Sequence, residues 1–231
     1  MLNRLARALL LLPALAGPAA AQSVAHTQQV AFRLGTAAPL SRYVQMAGQA
    51  TPLTQYYGAD AKVGNPGFSF GGQYLYNIKD TIGLGLDFDY DAPQAKTFDV
   101  VSYRYISKPE DLKLLAVGKY SWLPEYRVRP FGLAGVGIGK FWLKQTQGTA
   151  PGQVRIVNGR PDTSTLTLVN NSSTGLAWAF GAGADADLTE RWVLTLDLRW
   201  SQISISRSRF WGDKYQAMNA SLQLGYRIGK I

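Results

Sequence analysis

The chain has 231 residues, no cysteine and a formal net charge of +9. Without cysteine it can form neither disulfides nor a thiol-based site, so an exported form must be stabilised by extensive regular structure. A basic exported protein meets anionic surfaces such as phosphorylated lipid head groups more often than nucleic acid, which we do not expect as a partner.

The first residues have the pattern of a secretory signal peptide. Arg4 and Arg7 precede a short apolar run at 8–16, and the small residues at 19–21 offer a cleavage site. The run is about half as long as the ~20 apolar residues that a membrane-spanning helix needs. We therefore expect 1–21 to be a cleaved signal peptide and 22–231 to form one domain.

Eight segments of roughly ten residues follow, in which apolar and polar side chains alternate with the period of a two-faced β-strand. In the stretch RWVLTLDLRW, Trp192, Leu196 and Trp200 share one face, whereas Asp197 and Arg199 lie on the other. The eight segments lie at 28–41, 67–78, 82–90, 111–122, 129–144, 175–188, 191–200 and 215–228.

The breaks between these segments alternate in length. Short breaks lie at 77–81, 123–126 and 189–190, and longer ones lie at 42–66, 91–110, 145–174 and 204–214. Short turns at one end and long loops at the other are typical of an outer-membrane barrel with periplasmic turns and extracellular loops. The sequence therefore predicts an all-β fold, an eight-stranded antiparallel up-and-down transmembrane β-barrel.

The width of such a barrel decides which face of each strand points inward. Eight strands enclose a lumen that is barely wide enough for side chains, so Trp, Tyr, Phe and Leu at most positions of one face would not fit there. Glycine, serine and one charge per strand would fit. We therefore expect the apolar faces to meet lipid, with Trp192 and Trp200 at the two interfaces.

The inward charges should then pair, because an isolated charge in such a lumen would cost several kcal/mol. The segment 129–144 has apolar residues on both faces, and we orient it by placing Lys140 and Lys144 inward. With that choice, and with Lys140 but not the terminal Lys144 counted in the network, five aspartates oppose five cations. The predicted lumen charge network consists of Arg33, Asp87, Asp89, Lys119, Lys140, Asp185, Asp187, Asp197, Arg199 and Arg227.

Two motifs suggest catalysis or nucleotide binding, and neither has the residues it needs. Gly67–Gly71 matches the nucleophile elbow of serine hydrolases around Ser69, but the single histidine, His26, lies far away in the sequence. Gly135–Lys140 resembles a phosphate-binding loop, but Phe141 stands where Ser or Thr is required. We expect no enzyme activity, no catalytic residues, no cofactor and no metal site.

The last long break interleaves basic and aromatic residues. Arg207, Arg209 and Lys214 could contact lipopolysaccharide phosphates with Trp211 at the interface. The same composition also suits a solvated loop with an ordinary aromatic girdle. Both interpretations stay open at this point.

Three stretches resemble the outer-membrane β-barrel domain family, a porin-like group that includes the transmembrane domain of the major outer-membrane protein A, the opacity proteins and the W-type porins. They are RPFGLAGVGIGKF at 129–141, FGAGADADLTERWVLTLDLRW at 180–200 and LGYRIGK at 224–230. Family chains usually end in an aromatic residue that the barrel assembly machinery reads, whereas this chain has Ile228 in the corresponding place.

The resemblance implies a monomer integral to the outer membrane of a Gram-negative cell, with outer-membrane lipids, lipopolysaccharide and the barrel assembly machinery as partners. It leaves the activity open, because such barrels serve many functions. We expect a structural role or a surface role carried by the loops. One alternative is a narrow porin or hydrophobic-solute channel. A third is a lipid A-modifying enzyme, but those enzymes use a histidine on the barrel, and this chain has none on its predicted strands.

Overall fold

The computed structural model describes residues 23–42, 62–100, 103–150, 152–154, 156–157, 160–161, 165–206, 210 and 213–229. The predicted signal peptide lies outside them. No helix within these residues is long and apolar enough to cross a membrane. The strands are β1 (Gln28–Pro39), β2 (Asn65–Asn77), β3 (Ile82–Gln94), β4 (Lys96–Val100), β5 (Tyr103–Ser121), β6 (Val128–Thr149), β7 (Ile156–Val157), β8 (Arg160–Pro161), β9 (Leu166–Asp187), β10 (Trp192–Ser204) and β11 (Lys214–Ile228).

Eight of these strands close into a barrel. Neighbours pair antiparallel in the order β1, β2, β3, β5, β6, β9, β10, β11, and β11 returns to pair with the whole of β1. β4 continues β3 after Ala95 and pairs with the first residues of β5, while β7 and β8 pair only with each other. Closure satisfies the backbone groups of both terminal strands. The predicted eight-stranded antiparallel barrel is confirmed.

The two faces of the barrel strands differ as expected for a wall between lipid and a narrow lumen. Buried positions on these strands are odd-numbered, and the exposed positions of the apolar band are even-numbered. On β10, Trp192 and Leu196 are 43% and 51% exposed, whereas Val193 and Asp197 are fully buried. The apolar side chains therefore point outward and the charged ones point inward.

The strands on one side of the barrel are longer than the alternation predicted. β5 begins at Tyr103, β6 ends at Thr149 and β9 begins at Leu166, so the loops predicted at 91–110 and 145–174 are largely strand. Alternating hydrophobicity ends where the lipid ends, whereas backbone pairing needs no apolar face. The pairing of β5 with β6 accordingly continues up to Tyr103 opposite Thr149.

These long strands carry the sheet beyond the membrane at one end. β6 and β9 have 22 residues each, about twice the ~9–11 residues that cross a bilayer. We call this end of the barrel the loop end. The opposite end, which we call the turn end, has tight connections such as those at 78–81 and 188–191.

The segment that precedes β1 is fastened to the turn end by one carboxylate. Asp80 Oδ1 accepts hydrogen bonds from the Ser23 hydroxyl at 2.9 Å and from the backbone N–H groups of Val24 and Ala25 at 2.5 and 2.9 Å. Partial burial of the Asp80 carboxyl raises its pKa, but these hydrogen bonds outweigh that effect and leave the pKa below its ordinary value. The ionised Asp80 carboxylate therefore stabilises the attachment of the segment before β1 to the turn end.

Candidate functional site

The middle of the lumen holds a buried cluster of three aspartates and two arginines. Arg33 Nη2 lies 2.7 Å from Asp87 Oδ1 and 2.8 Å from Asp89 Oδ1. Arg199 Nη1 donates to Asp87 Oδ2 at 2.8 Å, and its Nε donates to Asp197. These side chains are at most 4% exposed. Asp87 on β3 therefore links Arg33 on β1 to Arg199 on β10 across the lumen.

Glycines on the neighbouring strands make room for the two guanidinium groups. A Cβ on Gly71 would lie 2.3 Å from the carbonyl oxygen of Phe88 and 2.8 Å from Arg33 Nη2. A Cβ on Gly181 would lie 2.9 Å from Arg199 Cγ. The inward glycines are therefore part of the ion-pair site, because larger residues would displace the charged groups.

A second layer lies nearer the loop end. Lys113 Nζ is 2.5 Å from Asp91 Oδ2 and 2.6 Å from Asp111 Oδ1, and it donates to Ser201 Oγ at 3.3 Å. The Asn219 amide donates to both oxygens of Asp91, at 2.8 and 2.9 Å. This layer joins β3, β5, β10 and β11 around one ammonium group.

A third layer lies near the turn end. Lys119 Nζ is 2.5 Å from Asp185 Oδ2. Arg129 and Arg227 both donate to Asp187 Oδ1, at 2.6 and 2.5 Å. Across the three layers, the lumen charges of the described residues are Asp87, Asp89, Asp91, Asp111, Asp185, Asp187, Asp197, Arg33, Lys113, Lys119, Arg129, Arg199 and Arg227.

The lumen changes character between the second layer and the loop end. Phe141 stacks on Tyr215 with ring centroids 4.3 Å apart, and it meets Phe210 edge-on at 5.4 Å. Leu143 and Ile203 belong to the same buried cluster. Apolar side chains therefore fill the lumen above the ion pairs.

The match to a family model decides the classification of this charged barrel. The model of the outer membrane protein beta-barrel domain matches residues 8–227. The chain belongs to this family. Members of the outer-membrane β-barrel family reside in the outer membrane, and this chain is therefore an outer-membrane protein.

Solved structures align with this chain at low sequence identity. Neisserial surface protein A aligns with a TM-score of 0.50 and 12% identity over 88% of this chain and 98% of that chain. The N-terminal β-barrel domain of Pseudomonas aeruginosa OprF aligns at 0.43 and 14%, over 90% and 100%. The Yersinia pestis attachment invasion locus protein Ail aligns at 0.43 and 16%, over 88% and 99%. A comparison with curated protein sequences gave no match.

The structure brings most of the predicted lumen charges of this family member together. The ones that point inward are Arg33, Asp87, Asp89, Lys119, Asp185, Asp187, Asp197, Arg199 and Arg227. Each of them has at least one ion pair to another lumen residue.

The orientation predicted for the segment 129–144 is wrong. Lys140 and Lys144 are exposed on the outward face of β6, and Lys140 Nζ lies 4.9 Å from the ring centroid of Trp142. Phe131 and Phe141 point inward instead. Both lysines lie past the apolar band, where an outward charge meets head groups or water and costs little.

Four buried charges were missed by the sequence analysis, and three of them could have been found. Asp91 has the inward parity of Asp87 and Asp89, and Lys113 has the inward parity of Lys119. Asp91 was assigned to the predicted loop at 91–110, and Asp111 was the first residue of the predicted strand at 111–122. Arg129 was missed because β6 was given the opposite orientation, and no pattern within β6 alone reveals this error.

The remaining candidates lie apart from one another or outside the described residues. Ser69 is fully buried in the middle of β2, where Asn219 Nδ2 donates to its hydroxyl at 3.4 Å. The backbone N–H of His26 donates to the carbonyl oxygen of Asn77. Asn77 lies eight residues beyond Ser69 on β2, so about 26 Å of strand, at ~3.3 Å per residue, separates His26 from Ser69. Of the predicted lipopolysaccharide contacts, Arg207, Arg209 and Trp211 lie outside the described residues, whereas Lys214 is exposed at the start of β11.

Proposed function

We propose that this protein is a monomeric outer-membrane barrel whose lumen is closed by its own side chains and whose function is carried at the cell surface. The turn end faces the periplasm and the loop end faces the exterior of a Gram-negative cell. The observation that carries this proposal is the bridge from Arg33 through Asp87 to Arg199, which crosses the lumen at its middle.

Energetics supports a closed state. A conducting path would require several buried ion pairs to separate at once, and each ion left without its partner would cost several kcal/mol. The middle layer alone contains pairs from β3 to both β1 and β10. Ions or solutes would therefore meet a continuous barrier rather than a water-filled channel.

The surface role is supported by where the irregular and long elements lie. β5, β6 and β9 continue beyond the membrane, and at the loop end the chain between β1 and β2 and the chain between β6 and β9 are long. Binding residues in proteins concentrate on such segments when a rigid scaffold holds them. Lipopolysaccharide and other outer-membrane lipids surround the scaffold, and the barrel assembly machinery inserts it. We propose no catalytic activity for this barrel.

Single-channel recording in planar bilayers tests the closed lumen. We expect the purified wild-type protein to give no stepwise conductance. Replacing both arginines of the bridge, Arg33→Ala with Arg199→Ala, should open measurable steps, whereas Lys96→Ala on β4 should behave like the wild type. Reproducible steps from the wild-type protein would overturn the proposal.

A second candidate, a channel for hydrophobic solutes, is supported by one observation. The lumen beneath the loop end is lined by apolar side chains such as Phe141, Ile203 and Phe210. A solute would have to displace these packed rings before leaving sideways above the ion pairs. Uptake of an apolar fluorescent probe into vesicles should be unchanged by Phe141→Ala if the lumen is only packed. Faster uptake would favour the channel.

A further inference from the structure

The outward faces of the barrel strands are unevenly charged. No Asp, Glu, Lys or Arg occupies an outward position on β1, β2, β3, β9 or β10. Outward charges on the described barrel strands are confined to β5 and β6, apart from Lys214 at the first position of β11. Charge on the lipid-facing surface is therefore concentrated on two adjacent strands.

Three lysines form the core of this charged region, which we call the β5–β6 basic patch. It consists of Lys108 on β5 and Lys140 and Lys144 on β6, together with Glu110 and Trp142. Lys108 lies directly opposite Lys144 in the strand register, and Glu110 lies opposite Trp142. A shallow groove runs between Lys108, Trp142 and Lys144.

The patch lies at the edge of the apolar band, on the side of the loop end. Below it, β6 presents Val136 and Ile138 outward, which are 53% and 60% exposed, and β5 presents Leu114. Above it, β6 presents the polar Thr146 outward, whereas Ile106 opposite it on β5 is apolar and 37% exposed. Trp142 lies within the patch, which is typical of a residue at the membrane–water interface. The lysines are therefore at the depth of outer-leaflet head groups.

The charges of the patch are not balanced within the protein. Among the residues that the structure describes, Glu110 is the only carboxylate paired with any of the three lysines; its Oε1 lies 2.8 Å from Lys108 Nζ. Directly opposed cross-strand residues have Cβ atoms roughly 4.5–5.5 Å apart, so Lys108 and Lys144 repel each other. Three cations and one anion leave a net charge of two positive, which an external anion would neutralise.

We propose that the β5–β6 basic patch binds a phosphate group of an outer-leaflet lipid, with the acyl chains of that lipid lying along the apolar face below. The phosphate accepts hydrogen bonds from Lys108 and Lys144, and Lys140 adds charge from beside the Trp142 ring. A lipid is the source of the phosphate because the patch adjoins the apolar band. This inference rests on the orientation given in the proposed function, with the loop end outside.

Binding of defined lipids to the purified protein in detergent tests the patch. The probes are lipid A with both phosphates, the same lipid A after removal of its phosphates, and inorganic phosphate. The variant K108Q/K140Q/K144Q removes the patch, and K62Q/K79Q/K96Q removes the same charge at three lysines outside the patch. We expect the patch variant to bind phosphorylated lipid A on the order of 100-fold more weakly, and the control variant to bind like the wild type.

The other measurements distinguish a lipid phosphate from free phosphate, and a specific site from a general effect of lost charge. Dephosphorylated lipid A should bind all three proteins equally, and inorganic phosphate should bind none measurably. E110Q, which removes the competing carboxylate, should tighten binding of phosphorylated lipid A. Equal loss in both triple variants, or inorganic phosphate bound as tightly as the lipid, would overturn the site. These assays do not measure conductance, so a negative result for lipid binding would not contradict the proposal that the lumen is closed.

Discussion

The lumen of this barrel is filled by two different kinds of side chain along its length. Below the level of Asp111, carboxylates and cations meet at distances of 2.5–2.8 Å and leave no charged side chain far from a partner. At that level and above it, the ring of Phe141, which lies opposite Asp111 in the strand register, packs against the rings of Tyr215 and Phe210. Ion pairs require matched partners at fixed positions, whereas apolar packing requires mainly volume. The two parts should therefore respond differently to substitution.

Removing one cation of the middle layer should have the largest effect. Arg33→Met keeps most of the volume but leaves Asp89 without its nearest cation, which should lower the free energy of unfolding by about 3–5 kcal/mol. Urea unfolding in lipid vesicles measures the loss. Adding Asp89→Asn should restore part of it, because the unpaired carboxylate disappears. A loss no larger than that of Arg104→Met, in an exposed ion pair, would contradict the account.

Truncation in the apolar part should cost somewhat less and should not be rescued by a charge change. Phe141→Ala leaves a cavity between Tyr215 and Phe210 and should lower the free energy of unfolding by about 3 kcal/mol. Phe141→Leu should cost less than half as much, since it fills part of the space. The same unfolding assay applies. Equal losses for the two variants would show that packing volume does not govern this region.

A substitution next to the ion pairs should have an intermediate effect. Gly71→Ala places a methyl group against the Phe88 carbonyl and Arg33, which should cost about 1–3 kcal/mol as the strands shift. Gly72→Ala is the matched control, because its Cβ would come no closer than 3.7 Å to the Ala31 carbonyl oxygen. Similar stabilities of the two variants would indicate that the lumen accommodates the methyl group without displacing Arg33.

The smallest effect should come from the turn end, and it depends on pH. The pKa of Asp80 is lowered in the folded protein, so its contribution is fully present above the ordinary value of 3.8 and is lost as the pH falls through the lowered value. The protection factors of the Val24 and Ala25 amides, which correct for the intrinsic effect of pH on exchange, should fall only below about pH 4. Asp80→Asn should show faster exchange at neutral pH. If exchange responded neither to the fall in pH nor to Asp80→Asn, Asp80 would not be what fastens the segment before β1 to the turn end.

Much of this architecture follows from the sequence because lipid and a narrow lumen demand opposite side chains on alternate residues. The inward charges on β1, β3, β9, β10 and β11 were predictable for this reason. β6 was not, since Phe131 and Phe141 point inward while Val136 and Ile138 point outward, and alternation cannot distinguish two apolar faces. The pairing of Arg33 with Asp87 depends on the stagger of the strands, which no single strand encodes.

Access of a charged thiol reagent to the lumen tests the central claim most directly, because the chain contains no cysteine. Ser221→Cys introduces a thiol of nearly the same size at a lumen position that is 5% exposed, and Glu190→Cys introduces one at an exposed turn. In the folded protein we expect Ser221→Cys to react orders of magnitude more slowly than Glu190→Cys and to match it after unfolding. Comparable rates in the folded state would mean that water and ions traverse the lumen, and the account would be wrong.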